Sequence, residues 1–452
     1  MKKPQLIKSL SGIRGIVGNG IDPILAAQYG AAFGTHLKKG KVVIGSDSRP
    51  SGEMLRRAVV SGLVSTGIDT VDIGIVPTPT VEIAVTGLKA VGGICVTASH
   101  NAAPWNALKF FNRTGRFLTR RQFESIEKIL EVGRFGFKSA DKLGSVTEQD
   151  DWVTRHISQT MVLPVLERAA IRRKGLKVVV DAVNGAGSIA LPGLLRKLSV
   201  DVIELNCKSD GNFVHDPEPS PKNLTQLCRA VRRHRADLGM ACDPDADRLA
   251  LVDERGIAIS EELTLTIAVW EVLRKRRGPT VINLSTSRTT ADIARMLGSP
   301  VHYARVGEPN VVEVMRRKNA VIGGEGNGGV ILPSFHSGRD ALVAAALVLS
   351  ALAKEKRTLS ELVKSFPTYY LIKSKSQLPN DFNDRLMRFE AEASDMLGKC
   401  RINRLDGLRF DFARGWVQLR KSNTEPIYRL VVETDNRKLS NSLSRKVLSF
   451  FK

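Results

Sequence analysis

Three carboxylates stand at alternate positions in Asp243-Pro-Asp-Ala-Asp-Arg-Leu-Ala-Leu-Val-Asp253. In an extended loop ahead of an apolar strand, Asp243, Asp245 and Asp247 can converge on one cation. Oxygen-only ligands suit Mg²⁺ and leave positions for water or a phosphate oxygen. The same spacing opens an EF-hand loop, with Glu254 at its twelfth position. That loop needs glycine sixth, where this chain has Arg248, and an apolar strand follows directly, so the EF-hand is rejected. A solvated acidic turn is the plainer alternative, but Arg248 and the strand tie the loop to a buried sheet.

A second string, Thr97-Ala-Ser-His-Asn101, follows an expected strand, with Trp105, Asn106 and Lys109 shortly beyond. A hydroxyl beside an imidazole suggests nucleophilic catalysis. Adjacent strand residues point to opposite faces, so Ser99 and His100 are not expected to form a simple nucleophile–base pair. Taken alone, Ser99 reads more simply as a polar residue at a strand edge. The third string, Gly323-Gly-Glu-Gly-Asn-Gly-Gly329, sets Glu325 and Asn327 among five glycines. Close backbone approach and a carboxylate–amide pair suit vicinal hydroxyls, and the string reads equally as a hairpin turn. The fourth, Arg420-Lys-Ser-Asn-Thr-Glu-Pro426 with Arg429 beyond, makes an anion cradle. Each hydrogen bond to a charged phosphate oxygen contributes about 1.5–3 kcal/mol. A fifth string, Gly185-Ala-Gly187-Ser-Ile-Ala190 with Glu204 downstream, matches the dinucleotide fingerprint. Asp181-Ala-Val-Asn184 separates strand from glycines more than a tight dinucleotide turn would. A strand–helix turn without NAD is the simpler explanation.

The elements that must position these strings alternate. Apolar, β-branched runs bounded by glycine recur at Lys41–Gly45, Val71–Val76, Gly93–Thr97, Lys177–Asp181, Val202–Leu205, Leu249–Val252, Thr280–Leu284 and Val321–Gly323. Amphipathic stretches such as Gly52–Thr66, Leu191–Leu198 and Leu224–His234 lie between them. Strand, helix, strand at this spacing predicts an α/β fold with parallel sheets and crossover helices. The pattern restarts near Lys177 and Thr280, giving three similar α/β units. Trp416–Arg420 and Tyr428–Glu433 instead read as paired strands in a smaller C-terminal α+β domain. The expected boundaries are 1–150, 151–254, 255–366 and 367–452.

Composition narrows the class. The 452 residues carry 68 Lys and Arg against 46 Asp and Glu, a net charge of +22, yet 42% are hydrophobic and 25% charged. That balance is globular and excludes a disordered tail. The basic clusters Arg172–Lys174, Arg232–Arg235, Arg274–Arg277 and Arg316–Lys318 fall at expected helix ends, where cations meet the C-terminal dipole. None is interleaved with aromatics, so nucleic-acid binding is disfavoured. The 13-residue apolar run Ala341–Ala353 is too short to span a bilayer and reads as a buried helix. The first residues lack the apolar core of a signal peptide. Five scattered cysteines form no CxxC pair, which excludes zinc ribbons and fits a reducing, cytoplasmic setting.

Taken in order, the strings resemble the α-D-phosphohexomutase family over essentially the whole chain. The matching pieces are Ser11-Gly-Ile-Arg-Gly15, Gly45-Ser-Asp-Ser-Arg49, Thr97–Asn101, Asp243–Arg248, Val306-Gly307, Gly324–Gly328 and Arg420–Pro426. Pro77-Thr-Pro-Thr-Val-Glu82, Trp105–Lys109 and the Glu-Gly-Asn-Gly loop look most like the archaeal-type phosphoglucosamine mutase group, with phosphomannomutase/phosphoglucomutase as the neighbouring type. The resemblance implies mixed sheets in three α/β domains, with the smaller fourth domain closing one central cleft. It implies that Ser99 is a phosphoserine and that Asp243, Asp245 and Asp247 hold one Mg²⁺ with an oxygen of that phosphate. Arg14 and Arg248 match active-site arginines, and Lys109 and His100 match candidate proton-transfer groups. Lys109 is the leading one, since lysine near several cations can have a lowered pKa. Glu325 and Asn327 fall where the family grips sugar hydroxyls; Arg420, Ser422, Asn423, Thr424 and Arg429 fall in its phosphate loop. The implied reaction moves phosphate between C1 and C6 of a hexose through a 1,6-bisphosphate that also serves as primer, in a monomer or homodimer. Three departures stand out: Ala102 replaces a usual proline, Gly-Asn-Gly follows Glu325, and Glu308 replaces a histidine found in some relatives.

Overall fold

The computed structural model describes residues 6–355, 357–422 and 427–451, so Asn423 and Thr424 of the expected phosphate loop lie outside the described residues. Four sheets are present. In the second, Asp201–Leu205, Lys177–Asp181 and Leu238–Cys242 run parallel, and Leu249–Val252 closes the edge antiparallel. The third repeats that plan with Val301–Ala304, Thr280–Asn283, Ile322–Glu325 and an antiparallel Gly329–Ile331. The same plan sits inside the eight-stranded first sheet as Asp69–Ile75, Lys41–Ser46, Gly92–Val96 and the antiparallel Trp105–Asn112. Each unit is therefore a mixed sheet with one strand reversed, at the sheet edge in the second and third, and in the first paired onward to Gly12–Val17. The fourth sheet is wholly antiparallel, with Gly415–Lys421 paired to Ile427–Thr434 so that Arg420 faces Arg429.

Burial explains the local choices. The parallel strand Lys177–Asp181 has four of its five residues buried, as expected for a strand covered on both faces. The apolar run forms the helix Ala341–Glu355, in which every residue from 341 to 353 is buried. A helix apolar all round must be packed on all sides, and this one contacts Glu262–Leu273, Arg168–Lys174 and Gly187–Lys197. One continuous apolar core thus runs from Ile157 to Phe366 and joins the second and third sheets. Among the described residues, no helix is long and apolar enough to cross a membrane. The basic clusters sit where the dipole favours them: Arg172, Arg173 and Lys174, then Arg232 and Arg233, then Arg316, Arg317 and Lys318 each occupy a last helical turn.

Two strands on which the site depends, Gly12–Val17 and Trp105–Asn112, were not expected from the apolar pattern. Trp105–Asn112 buries Asn106 and Lys109 beside its apolar residues, which hides its periodicity.

A buried polar network fastens the three α/β units. His156, on Trp152–Met161, lies 2.9 Å from Thr80 Oγ1 and 2.9 Å from Asp340 Oδ2. His336 reaches the same Asp340 oxygen at 2.9 Å and Glu82 Oε2 at 3.2 Å. Asp340 Oδ1 accepts from the backbone N–H groups of Leu342 and Val343, capping the apolar helix. Burial alone would lower the His336 pKa, but the Asp340 and Glu82 carboxylates raise it to about 10. His336→Ala leaves Glu82 without its imidazole partner and Asp340 with only the His156 imidazole, and should cost about 3 kcal/mol at pH 7, read from the urea midpoint. Because the folded-state pKa is raised, this stabilisation is complete below about pH 6.5 and is lost as pH rises through about 10. The gap between wild type and variant should therefore narrow over that range.

Candidate active site

The loop after Gly92–Val96 carries Ser99 in a left-handed conformation, φ 50°. It is neither a strand nor helical, so the expectation that Ser99 and His100 point apart does not hold. Ser99 Oγ lies 3.3 Å from His100 Nδ1. The turn is locked from inside by Thr97, whose hydroxyl donates to Asp47 Oδ2 at 2.6 Å and accepts from the Ser99 N–H at 2.9 Å.

Arg49 holds the loop from beneath. Its guanidinium donates to the carbonyls of Ser99 and Asn101 at 2.6 Å, of Ala102 at 2.8 Å and of Trp105 at 3.0 Å. Its Nε pairs with Asp47 Oδ2 at 3.0 Å, and the residue is only 2% exposed. Four backbone carbonyls on one rigid fork supply the stiffness that Ala102, in place of proline, does not. The sequence placed Arg49 in a matching string but gave no sign of this role.

The three aspartates meet Ser99 across the cleft. Ser99 Oγ donates to Asp243 Oδ2 at 2.7 Å, and Asp243 Oδ1 accepts from the N–H groups of Asp247 and Arg248, both at 3.2 Å. Asp245 Oδ2 accepts from Thr78 Oγ1 at 2.5 Å and Lys109 Nζ at 2.6 Å. Asp247 Oδ2 accepts from Arg339 Nη2 at 2.6 Å. One oxygen of each aspartate lies within 4.8 Å of one of each other. Asp245 Oδ1 and Asp247 Oδ1 are buried with no hydrogen-bond partner among the described residues. Burial, then Asp247 and Asp245, pushes the Asp243 pKa well above the carboxylate range. Burial acts likewise on Asp245, but the Lys109 charge and the Lys109 and Thr78 hydrogen bonds outweigh it and hold that group low. Buried acids that keep two oxygens without a hydrogen bond from the described residues, with only the Arg248 Nε 3.6 Å from one of them, fit a divalent cation.

The basic groups close around this loop. Arg14 Nη1 donates to Asn101 Oδ1 at 2.5 Å, and burial followed by the Arg248 charge lowers its pKa. Arg248 Nη1 pairs with Glu218 Oε1 at 2.8 Å, while its Nε, without a hydrogen bond, lies 3.6 Å from Asp247 Oδ1. Glu218 Oε2 is also 3.3 Å from His100 Nε2, a role the sequence did not signal. Lys109 departs from expectation. Burial would lower its pKa, yet Asp245 and Asp247 beside it raise it, so it is an ammonium ion. His100 is the group held well below the usual imidazole range, by burial and then by the charges of Arg248 and Arg14.

The opposite wall carries the glycine-rich string. Glu325 ends the strand Ile322–Glu325, where Oε1 accepts from Asn283 Nδ2 and the Gly307 N–H at 2.7 Å and Oε2 from Arg339 Nη1 at 2.9 Å. Three of about four acceptor positions are thus occupied, so Glu325 has one left for a ligand. Asn327 Oδ1 accepts from the Gly329 N–H at 3.2 Å, and its amide nitrogen has no bond to the described residues. Gly328 adopts φ +86°, and a Cβ there would lie 2.4 Å from the Leu249 carbonyl. Glycine thus lets the string dock on the strand that follows the aspartates. In the fourth sheet, Arg420 keeps a buried Nε without a hydrogen bond to the described residues, and burial lowers its pKa despite Asp406 nearby. Arg429 is its cross-strand neighbour, and the Ser422 N–H closes the turn on the Ile427 carbonyl at 2.9 Å. The dinucleotide-like glycines serve packing instead. A Cβ on Gly185 would lie 2.6 Å from Pro244 Cα, so that string supports the metal loop.

Four models of the phosphoglucomutase/phosphomannomutase family match the chain in order. They are its alpha/beta/alpha domains I, II and III at residues 6–136, 155–256 and 261–370, and its C-terminal domain at 375–448. The chain belongs to this family. It is a phosphohexomutase, an isomerase of α/β architecture. A "Probable phosphoglucosamine mutase" of Methanopyrus kandleri is 35% identical, with 96% of this chain and 95% of that one covered. A "Phosphoglucomutase/phosphomannomutase" of Thermococcus kodakarensis is 37% identical, with 93% of each covered. Among solved structures, a phosphoglucomutase/phosphomannomutase family protein of Burkholderia thailandensis superposes with a TM-score of 0.85 at 28% identity, over 97% and 96% of the two chains. Phosphosugars are therefore the substrate class, and the buried triad has the donor set that could hold a divalent cation.

Arg49→Lys keeps the charge but cannot span four carbonyls. Turnover should fall about 100-fold from misplacement of Ser99. Hydrogen–deuterium exchange across residues 97–102 should rise, and unchanged exchange would count against the clamp.

Proposed function

We propose that the protein interconverts glucosamine 6-phosphate and glucosamine 1-phosphate, with Ser99 as the phosphoryl carrier. The observation that carries this is the Ser99 hydroxyl, which donates at 2.7 Å to Asp243 of a buried aspartate triad that keeps two oxygens without donors among the described residues. The sugar follows the names of the similar archaeal proteins. A bifunctional phosphomannomutase/phosphoglucomutase is the second reading, favoured by the name of the 37% identical relative.

Asp243, Asp245 and Asp247 would hold Mg²⁺, which when bound neutralises charge on the transferring phosphoryl group. The chain's own groups do the rest. Arg14 and Arg248 sit where they can neutralise equatorial phosphoryl oxygens. The phosphorus–oxygen bond to Ser99 breaks as one to a sugar hydroxyl forms, and that hydroxyl's proton must leave. His100, neutral and 3.3 Å from Ser99 Oγ, is suited to accept it, whereas cationic Lys109 can hold Asp245 or donate a proton. This reverses the order expected from the sequence. The resulting 1,6-bisphosphate turns over, and its other phosphoryl group returns to Ser99. Glu325 and Asn327 would hold the ring hydroxyls in both orientations. Arg420, Ser422 and Arg429, with Asn423 and Thr424, would hold the phosphate not reacting.

Ser99→Ala should abolish the mass gain of one phosphoryl group on the peptide carrying residue 99. It should also lower turnover more than about 1000-fold. A phosphorylated, active Ser99→Ala protein would refute the mechanism. Side-by-side assays of glucosamine 6-phosphate, glucose 1-phosphate and mannose 1-phosphate, with Mg²⁺ and a bisphosphate primer, should show the amino sugar turned over fastest. A higher kcat/KM for glucose or mannose phosphate selects the second reading.

A further inference from the structure

Arg339 belongs to none of the strings that carry chemistry in the sequence, yet its guanidinium spans the floor of the cleft. Nη2 donates to Asp247 Oδ2 at 2.6 Å, Nη1 to Glu325 Oε2 at 2.9 Å and Nε to Glu308 Oε2 at 3.0 Å. The three acids come from the aspartate loop, the end of Ile322–Glu325 and the start of the helix Glu308–Lys318. Among the described residues, no other cation pairs with Glu308 or Glu325. Burial raises the Glu308 pKa to about 8, and the Arg339 charge beside it acts in the opposite direction.

The side chain is held firmly enough to act as a fixed strut. Arg339 forms a backbone bridge with Ile331, and Asp340, next in sequence, caps the helix Ala341–Glu355. Gly329 leaves room for the stem, since a Cβ there would lie 2.3 Å from Arg339 Cδ. The aspartate loop shows a consistent division of labour. Asp245 and Asp247 each have Oδ2 held from behind, by Lys109 with Thr78 and by Arg339 respectively. Each leaves Oδ1 without a hydrogen bond. Partners of this kind, one bond behind a metal ligand, set its orientation and its affinity.

We propose that Arg339 is a positioning residue serving two ligands at once. It aims Asp247 at the cation and Glu325 at the sugar, so the two affinities are linked through one guanidinium. The sugar half rests on the mutase reading; the cation half rests on the aspartate loop alone. Linkage between two sites is reciprocal: Mg²⁺ changes the affinity for sugar phosphate by the factor by which sugar phosphate changes that for Mg²⁺. Lysine keeps the charge but has a single nitrogen and cannot bridge three carboxylates.

The test is equilibrium calorimetry on the full chain, without turnover. The probes are Mg²⁺ and a 1-deoxy hexose 6-phosphate, which lacks the hydroxyl that accepts a phosphoryl group. In the wild type, each probe should change the Kd of the other by the same factor. Arg339→Lys should raise the Mg²⁺ Kd by about 10-fold or more, raise the sugar-phosphate Kd as well, and bring the linkage factor to one. A folded Arg339→Lys protein that binds either probe as the wild type does overturns the proposal. Should that variant not fold, Glu325→Asp decides. It preserves charge, touches none of the three aspartates, and should still weaken Mg²⁺ by roughly three-fold or more through Arg339. An unchanged Mg²⁺ Kd overturns the inference. If the wild type binds Mg²⁺ but not the sugar phosphate, the mutase reading falls, and the Mg²⁺ response of Arg339→Lys alone decides the inference.

Discussion

Three carboxylates pressed together in a water-poor cleft are the constraint on which the rest of the structure depends. Such acids resist ionising together unless cations and donors answer them. Each answer arrives from a different part of the chain: Lys109 and Thr78 from the first unit, Arg248 from the loop itself, Arg339 from the third unit. Meeting that demand brings the units to one place. The Thr80–His156–Asp340–His336–Glu82 network continues the same alternation of charge behind the cleft, and the shared apolar core fixes the distance between its walls.

Seen this way, the aspartate loop is held ready for a cation. Four of its six carboxylate oxygens accept hydrogen bonds and two have none from the described residues, while Ser99 is clamped opposite by Arg49. Preorganised charge of this kind suits phosphoryl transfer, where alignment and neutralisation supply most of the catalysis. The same field explains why Lys109 is cationic and His100 neutral. Lys109 faces two acids that outweigh its burial, whereas burial, then Arg248 and Arg14, holds His100 low despite Glu218 at 3.3 Å.

Much of this was legible in the sequence, because the groups proposed to bind ligands occur in short strings of rare composition. Three aspartates at alternate positions stand out without any fold, whereas the five glycines around Glu325 read equally as a hairpin and Ser99 alone as a polar strand-edge residue, so it is the order of the strings that singles these out. The three α/β units were legible from apolar runs with a common spacing. The supporting groups were not. Arg49, Glu218, His336 and Arg339 are single polar residues far in sequence from their partners, and two are arginines in a chain with 68 basic residues. The pairing of Ser99 with His100 was hidden because alternation along a strand does not apply to a left-handed turn. The net charge of +22 now separates into parts. The cleft uses a few arginines and lysines largely matched by acids, while the clusters at helix ends make up an outer surface that the chemistry does not require.

The central claim is that the phosphoryl group moves by way of Ser99. Its most direct test is a single-turnover mix of protein isotopically labelled on the Ser99 phosphate with unlabelled hexose 6-phosphate and Mg²⁺. The label is expected to leave the protein for hexose 1,6-bisphosphate at least as fast as the steady-state turnover. Label that stays on Ser99 while the two monophosphates interconvert would contradict the account.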